Sequence, residues 1–137
     1  FKTLVSVIRP YEQKTLMTAT YLIIVSALII ALFNKQVAIY SLVIASVADS
    51  AAAIYGIKYG KVRLLNNKSF EGSFIFILSG FISILFVFFL LNDNSSILFP
   101  LLSVIFASFI EHITPGKYDN ITIPLSVALF LNFSLII

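Results

Sequence analysis

Long apolar runs alternate with short polar breaks along this chain, and five of the runs approach membrane-spanning length. They cover about 15–33, 37–55, 73–91, 97–113 and 121–137. A helix needs about 20 apolar residues to cross a hydrocarbon core of roughly 30 Å, so the last two runs are short. None alternates with a period of two, as a membrane barrel strand would. Lipid offers no partner to a bare backbone N–H or C=O, so each run is expected to be a helix. The breaks at Asn34–Gln36 and Asn92–Ser96, built from Asn, Asp and Ser, predict tight turns. The expected fold is all-α: a multi-pass transmembrane bundle of about five spans, one domain over 1–137, with no linker and no internal repeat. The first residue is Phe rather than Met, which leaves room for further spans ahead of it. No cleavage-site pattern of a signal peptide follows the polar segment before the first run.

Composition sharpens this picture. Of 137 residues, 60% are hydrophobic and 11% are charged, where a soluble domain carries roughly 25% charged. So few charges cannot cover a water-facing surface, and lipid is expected to do so. There is no cysteine, hence no disulfide framework or thiolate metal site. The net charge of +3 is small and scattered, which argues against nucleic acid as a partner.

The placement of the charges carries more information than their sum. Lys2, Arg9 and Lys14 precede the first run, Lys58, Lys61, Arg63 and Lys68 lie between the second and third, and Lys117 lies between the fourth and fifth. Five crossings put these three segments on one side and leave Lys35 and Asp93 on the other. The positive-inside rule then assigns the loops 1–14, 56–72 and 112–120 to the cytoplasm.

Ionisable groups beside membrane spans are costly and tend to be functional. Asp49, Ala53, Gly56 and Gly60 are spaced i, i+4, i+7 and i+11 and share one helix face, a carboxylate followed by almost no side-chain bulk. Small residues on a membrane helix also serve close helix packing, which explains the Ala and Gly residues but not the Asp. A phosphate–metal unit would use both features, the close backbone and an oxygen ligand. Gly56, Gly60 and Lys61 fall short of a P-loop, because the glycine spacing is one residue too small and Val62 replaces Ser/Thr.

The run Lys68-Ser-Phe-Glu-Gly-Ser73 opens the third span. Read plainly, Ser69 is a helix N-cap and Lys68–Glu71 a surface pair. Gly72 in the first turn then needs a reason, such as close approach of a ligand or another backbone. Read functionally, Lys68, Ser69 and the N-terminal N–H groups bind phosphate, and Glu71 joins Asp49 on a metal. A third cluster runs from Glu111 to Pro124. Pro115-Gly116 marks a turn, Asp119 or Asn120 can cap the fifth helix, and Pro124 fits a first turn. Glu111 has no charge partner in its own segment, and His112, the single histidine, reads as an interfacial residue. Pro100 is the one candidate for a mid-span break.

Four stretches in this order, RPYE with TAT a few residues on, ADSAAAIYGIKYGK, KSFEGS, and EHITPGKYDNITIPL, span nearly the whole chain. Together the sequence resembles the CTP-dependent lipid-alcohol kinases: dolichol, phytol and bacterial polyprenol kinases and the yeast-type CTP-dependent diacylglycerol kinase. The resemblance implies transfer of the γ-phosphoryl group of CTP to the hydroxyl of a membrane lipid, with Mg²⁺ or another divalent metal. By position it implies functional roles for Asp49, Gly56, Lys68, Glu71, Asp119 and Asn120. The resulting site comprises Asp119 and Asp49 as proton-accepting carboxylates and Asp49 and Glu71 as metal ligands. Phosphate and nucleotide contacts fall to Gly56, Gly60, Lys61, Lys68, Ser69, Gly72, Asn120 and Thr122. The chain departs from the family in lacking a clear basic motif on an earlier helix and in having fewer spans. Two rivals are a CTP-using cytidylyltransferase that makes a CDP-lipid, and a transport or non-catalytic bundle. The acceptor alcohol and the oligomeric state are not readable from these residues.

Overall fold

The computed structural model describes residues 18–64, 66, 68–92, 95–116 and 118–134. Among them every regular element is helical: α1 (Thr18–Leu32), α2 (Lys35–Val43), a π-helical turn (Ile44–Ala48), α3 (Asp49–Tyr59), α4 (Phe70–Leu90), α5 (Leu98–Ile113) and α6 (Asp119–Ser134). The stretch from α2 to α3 is one unbroken rod, so five rods stand where five runs were read. Two of them, Lys35–Tyr59 and Phe70–Leu90, are long and apolar enough to cross a membrane. At 1.5 Å per residue they measure about 37 and 31 Å, whereas the 16 residues of α5 and of α6 give about 24 Å. The segment before residue 18, with RPYE, Lys2, Arg9 and Lys14, lies outside the described residues, as do Asp93 and Lys117.

Phe33 and Asn34 separate α1 from α2, and the Asn34 side-chain oxygen accepts the Val37 N–H at 2.9 Å. Asn92, at φ 47°, turns the chain out of α4, a left-handed conformation that Asn tolerates. The core is formed by Ile29, Ile44, Phe76, Ile84, Val104, Val127 and Ala128, none of them exposed. Small residues draw the rods together: a Cβ on Gly80 would come 2.5 Å from Val104 Cγ1, so α4 meets α5 there. Hydroxyls within the rods bond back to their own helix, as Ser26 does to the Leu22 carbonyl and Ser79 to that of Ile75, at 2.6 Å each. The outward faces are apolar, with Ile23, Ile30, Ile54, Phe74, Phe86 and Phe109 all exposed.

Two prolines sit differently from the sequence-based expectation. Pro100 lies in the first turn of α5 rather than mid-span, where its missing N–H costs no helical bond. Pro124 is inside α6, because that helix already begins at Asp119.

Candidate functional site

The link from α3 to α4 folds back on itself. Leu64 N–H donates to the Lys68 carbonyl at 2.7 Å and Phe70 N–H to that of Val62 at 3.0 Å, with Arg63 bridged to Ser69. Asn66, at φ 54°, forms the bend, and its amide donates to the Ile113 carbonyl at 3.2 Å. The loop is thereby docked on the end of α5. Lys68 leaves the loop toward the start of α6, and its ammonium reaches Glu111 Oε1 at 3.0 Å and Asp119 Oδ2 at 2.5 Å. Residues 43 and 51 positions apart are joined by one cation.

This cluster is buried. Glu111 is 4% exposed, Asp119 6%, and the Lys68 side chain 16%. Burial pulls Lys68 toward its neutral form. The hydrogen bond to Asp119 and the charges of Glu111 and Asp119 together outweigh it and hold the ammonium above the usual lysine range. One ammonium cannot satisfy two carboxylates. Glu111 Oε2 and Asp119 Oδ1 are buried with no hydrogen-bond partner. Leaving a buried acceptor unsatisfied costs about 1–3 kcal/mol, and more for a charged group.

The cluster forms one wall of a pocket of about 240 Å³, to which Asp49 and Arg63 also contribute. Half of the six acidic residues of the chain therefore line one pocket. Its floor is Ala52, Ala53, Gly56 and Gly72; of the small-residue face expected after Asp49, Ala53 and Gly56 line it and Gly60 does not. Asp49 is half-buried and directly follows the π-helical turn, the irregularity that sets its register.

The floor is tight for a physical reason. A Cβ on Gly56 would lie 2.7 Å from Ser69 Oγ and 3.6 Å from Gly72 Cα, and one on Gly72 would lie 3.2 Å from the Ala52 carbonyl. Glycine here lets α3 and α4 touch backbone to backbone. Ser69 is the N-cap of α4, accepting the Gly72 N–H at 3.1 Å, so that donor is already engaged. The helix-cap and close-packing readings thus account for Gly56, Gly60, Gly72 and Ser69; of these, Gly56, Ser69 and Gly72 also line the pocket.

Other expected site residues lie elsewhere. Glu71 accepts the N–H groups of Lys61, at 3.1 Å, and Val62, at 3.4 Å, beside a shallow depression with Tyr55, Lys58, Tyr59 and Gly60. Asp49 and Glu71, expected to share a metal, line different pockets. Lys61 goes with Glu71, and the expected pairing of Lys68 with Glu71 is replaced by Lys68 with Glu111 and Asp119. Thr122 Oγ1 donates to the Tyr118 carbonyl at 3.2 Å and to Thr114 Oγ1 at 3.3 Å, away from the pocket. Asn120, half-buried in the first turn of α6, is likewise not part of its lining. His112 Nδ1 is 3.2 Å from Ser73 Oγ.

Glu111 and Arg63 line the pocket too, although neither is among the site residues that the resemblance implies. For Glu111 a signal existed: Pro100, Ser103, Val104, Ala107 and Ser108 form a buried stripe at helical spacing, and Glu111 continues it.

Over 103 residues the chain is 44% identical to an uncharacterized protein of Rickettsia prowazekii (strain Madrid E). The match covers 72% of this chain and 48% of that protein, so the chain spans about half the length of the curated relative it matches. No family model matches the chain. No solved structure matches it either.

Proposed function

We propose that this chain is the phosphotransferase part of a CTP-dependent lipid-alcohol kinase, embedded in a membrane as a multi-pass bundle with the charged pocket at its cytoplasmic face. The observation that carries this reading is the convergence of Asp49, Arg63, Lys68, Glu111 and Asp119 on one pocket in an otherwise apolar chain. All of these but Arg63 come from three of the segments on which the family resemblance rests. Two helices of spanning length and the exposed Ile, Leu and Phe side chains support the membrane setting.

Phosphoryl transfer asks of a protein mainly positioning and charge stabilisation. A volume of about 240 Å³ is below the roughly 300–1,000 Å³ of whole-ligand sites, so the pocket suits the phosphate end of a nucleotide rather than all of it. In the proposed reaction the lipid hydroxyl oxygen bonds to the γ-phosphorus, the bond to the β,γ-bridging oxygen breaks, and CDP leaves with that electron pair. The hydroxyl proton passes to a carboxylate. Asp49, half-buried in the pocket lining, is the proposed acceptor. Arg63 and Lys68 are the cations at hand for the phosphates. A bound Mg²⁺ would supply further neutralisation of phosphate charge. The lipid tail stays in the bilayer along the apolar outer faces.

The test is incubation of purified protein with γ-labelled CTP and a mixed lipid-alcohol extract. Label in the lipid phase supports the kinase. Pyrophosphate release points instead to a cytidylyltransferase, and neither product points to a transport or non-catalytic bundle.

A further inference from the structure

Glu111 and Asp119 present more negative charge than an ion pair requires. A single carboxylate would neutralise Lys68, and burying a second adds a desolvation penalty of several kcal/mol. The excess is not spent on hydrogen bonds, since Glu111 Oε2 and Asp119 Oδ1 are buried and unpartnered on side chains more than nine-tenths buried. Both residues line the pocket, where Asp49 and Arg63 offset each other in charge, so one negative charge is left over. With no Cys or His in the lining, the donors are hard carboxylate oxygens, the set that suits Mg²⁺, Ca²⁺ or Mn²⁺.

We propose that Glu111 and Asp119 together hold a small divalent cation of the Mg²⁺ class, and that the Lys68 ammonium is the counter-ion this cation displaces. Lys68 already marks a position in reach of both carboxylates, at 3.0 and 2.5 Å. Replacing N–H···O contacts by metal–oxygen bonds of about 2.0–2.1 Å needs a contraction of less than about 1 Å at each ligand. Among the described residues no three His, Cys, Asp or Glu side chains gather closely enough for an all-protein metal cage. Mg²⁺ does not need one, because it is commonly held by one or two carboxylates with waters and substrate phosphates completing the octahedron. The displaced ammonium then stands beside those phosphates. That last step rests on the proposed function, while the carboxylate pair and its cation do not.

The experiment measures Mn²⁺ binding to the purified full chain in detergent by the electron paramagnetic resonance signal of the free ion, with and without inorganic tripolyphosphate. Neither CTP nor lipid alcohol is present, so the outcome is independent of whether the protein is a kinase. One saturable Mn²⁺ is expected, tighter with tripolyphosphate. Glu111→Gln should weaken it by at least the roughly 10–100-fold that loss of an outer-shell partner already costs. Gln36→Ala, in the separate pocket with Tyr40 and Phe99, should leave it unchanged. Lys68→Met removes the competitor, so it should bind Mn²⁺ more tightly than the unaltered chain. Its melting temperature should also rise more on adding Mn²⁺, since a ligand at free concentration L that binds the folded state stabilises it by RT ln(1 + L/Kd), more the tighter it binds. That second readout keeps the variant informative even though it is less stable without metal. Absence of saturable Mn²⁺ binding with tripolyphosphate present overturns the proposal. So does binding that survives Glu111→Gln at full strength, or that Lys68→Met weakens.

Discussion

The two ends of the bundle carry pockets of similar size and opposite chemistry. At one end, Gln36, Tyr40, Phe99, Leu131 and Ser134 are among the residues that enclose about 210 Å³ with no charged side chain in the lining. At the other, about 240 Å³ is lined by Asp49, Arg63, Lys68, Glu111 and Asp119. Volume does not separate them, but the way each end satisfies its polar groups does. Beside the first pocket local caps are found, as when Asn34 caps α2 through Val37 and Ser96 Oγ accepts the Leu98 N–H at 3.4 Å. At the charged end hydrogen bonds span 43 to 51 residues of chain, and two carboxylate oxygens are left over. Local caps do what any helix end needs. A long-range buried ion cluster with spare acceptors is a poor way to stabilise a fold, because desolvation offsets much of its Coulomb energy. Under the proposed function, the first end has a structural role and the second carries the chemistry.

The comparison breaks most sharply on activity. If Asp49 accepts the hydroxyl proton, Asp49→Asn should lower transfer from CTP to a lipid alcohol by about 10²–10⁴-fold, the usual worth of a positioned base. Gln36→Ala at the other end should leave the rate as it was. Steady-state assays of the two variants side by side decide the point, and full activity in Asp49→Asn would return α3 to a packing role.

Stability gives the next largest effect. Lys68→Met strands two buried carboxylates and should cost about 3–5 kcal/mol, the range for breaking a buried ion pair from one side. Chemical unfolding in detergent measures it, and a cost below 1 kcal/mol would mean the cluster is solvated. A smaller loss, about 1–3 kcal/mol, is expected for Gly72→Ala, whose methyl would press on the Ala52 carbonyl at 3.2 Å. Asn34→Ala should be smallest, about 1 kcal/mol for a lost N-cap, with no change in transfer. A transfer defect in Asn34→Ala would contradict the division between the ends.

Much of the fold was legible because lipid-length apolar runs admit few structures. The five runs match five helical rods, and the turn at Asn34 follows from its capping chemistry. The face shared by Asp49, Ala53 and Gly56 was legible from helical spacing, and all three line the pocket. The π-helical turn at Ile44–Ala48 was not, since nothing in Ile-Ala-Ser-Val-Ala distinguishes it from ordinary helix. Partners of charged residues were the least legible. Glu71 and Lys68 are three apart and suggested a pair, yet Glu71 turns to the backbone of Lys61 and Val62 while Lys68 crosses to α5 and α6. Those partners are chosen by packing between distant segments, which local spacing does not encode.

The most direct test of the central claim gives the protein, reconstituted in vesicles with a mixed lipid-alcohol fraction, CTP labelled at the α-phosphorus in one sample and at the γ-phosphorus in another. The account predicts that lipid extracted from the γ-labelled sample is radioactive and lipid from the α-labelled sample is not. Label entering lipid from the α-position, or from neither position, would contradict it.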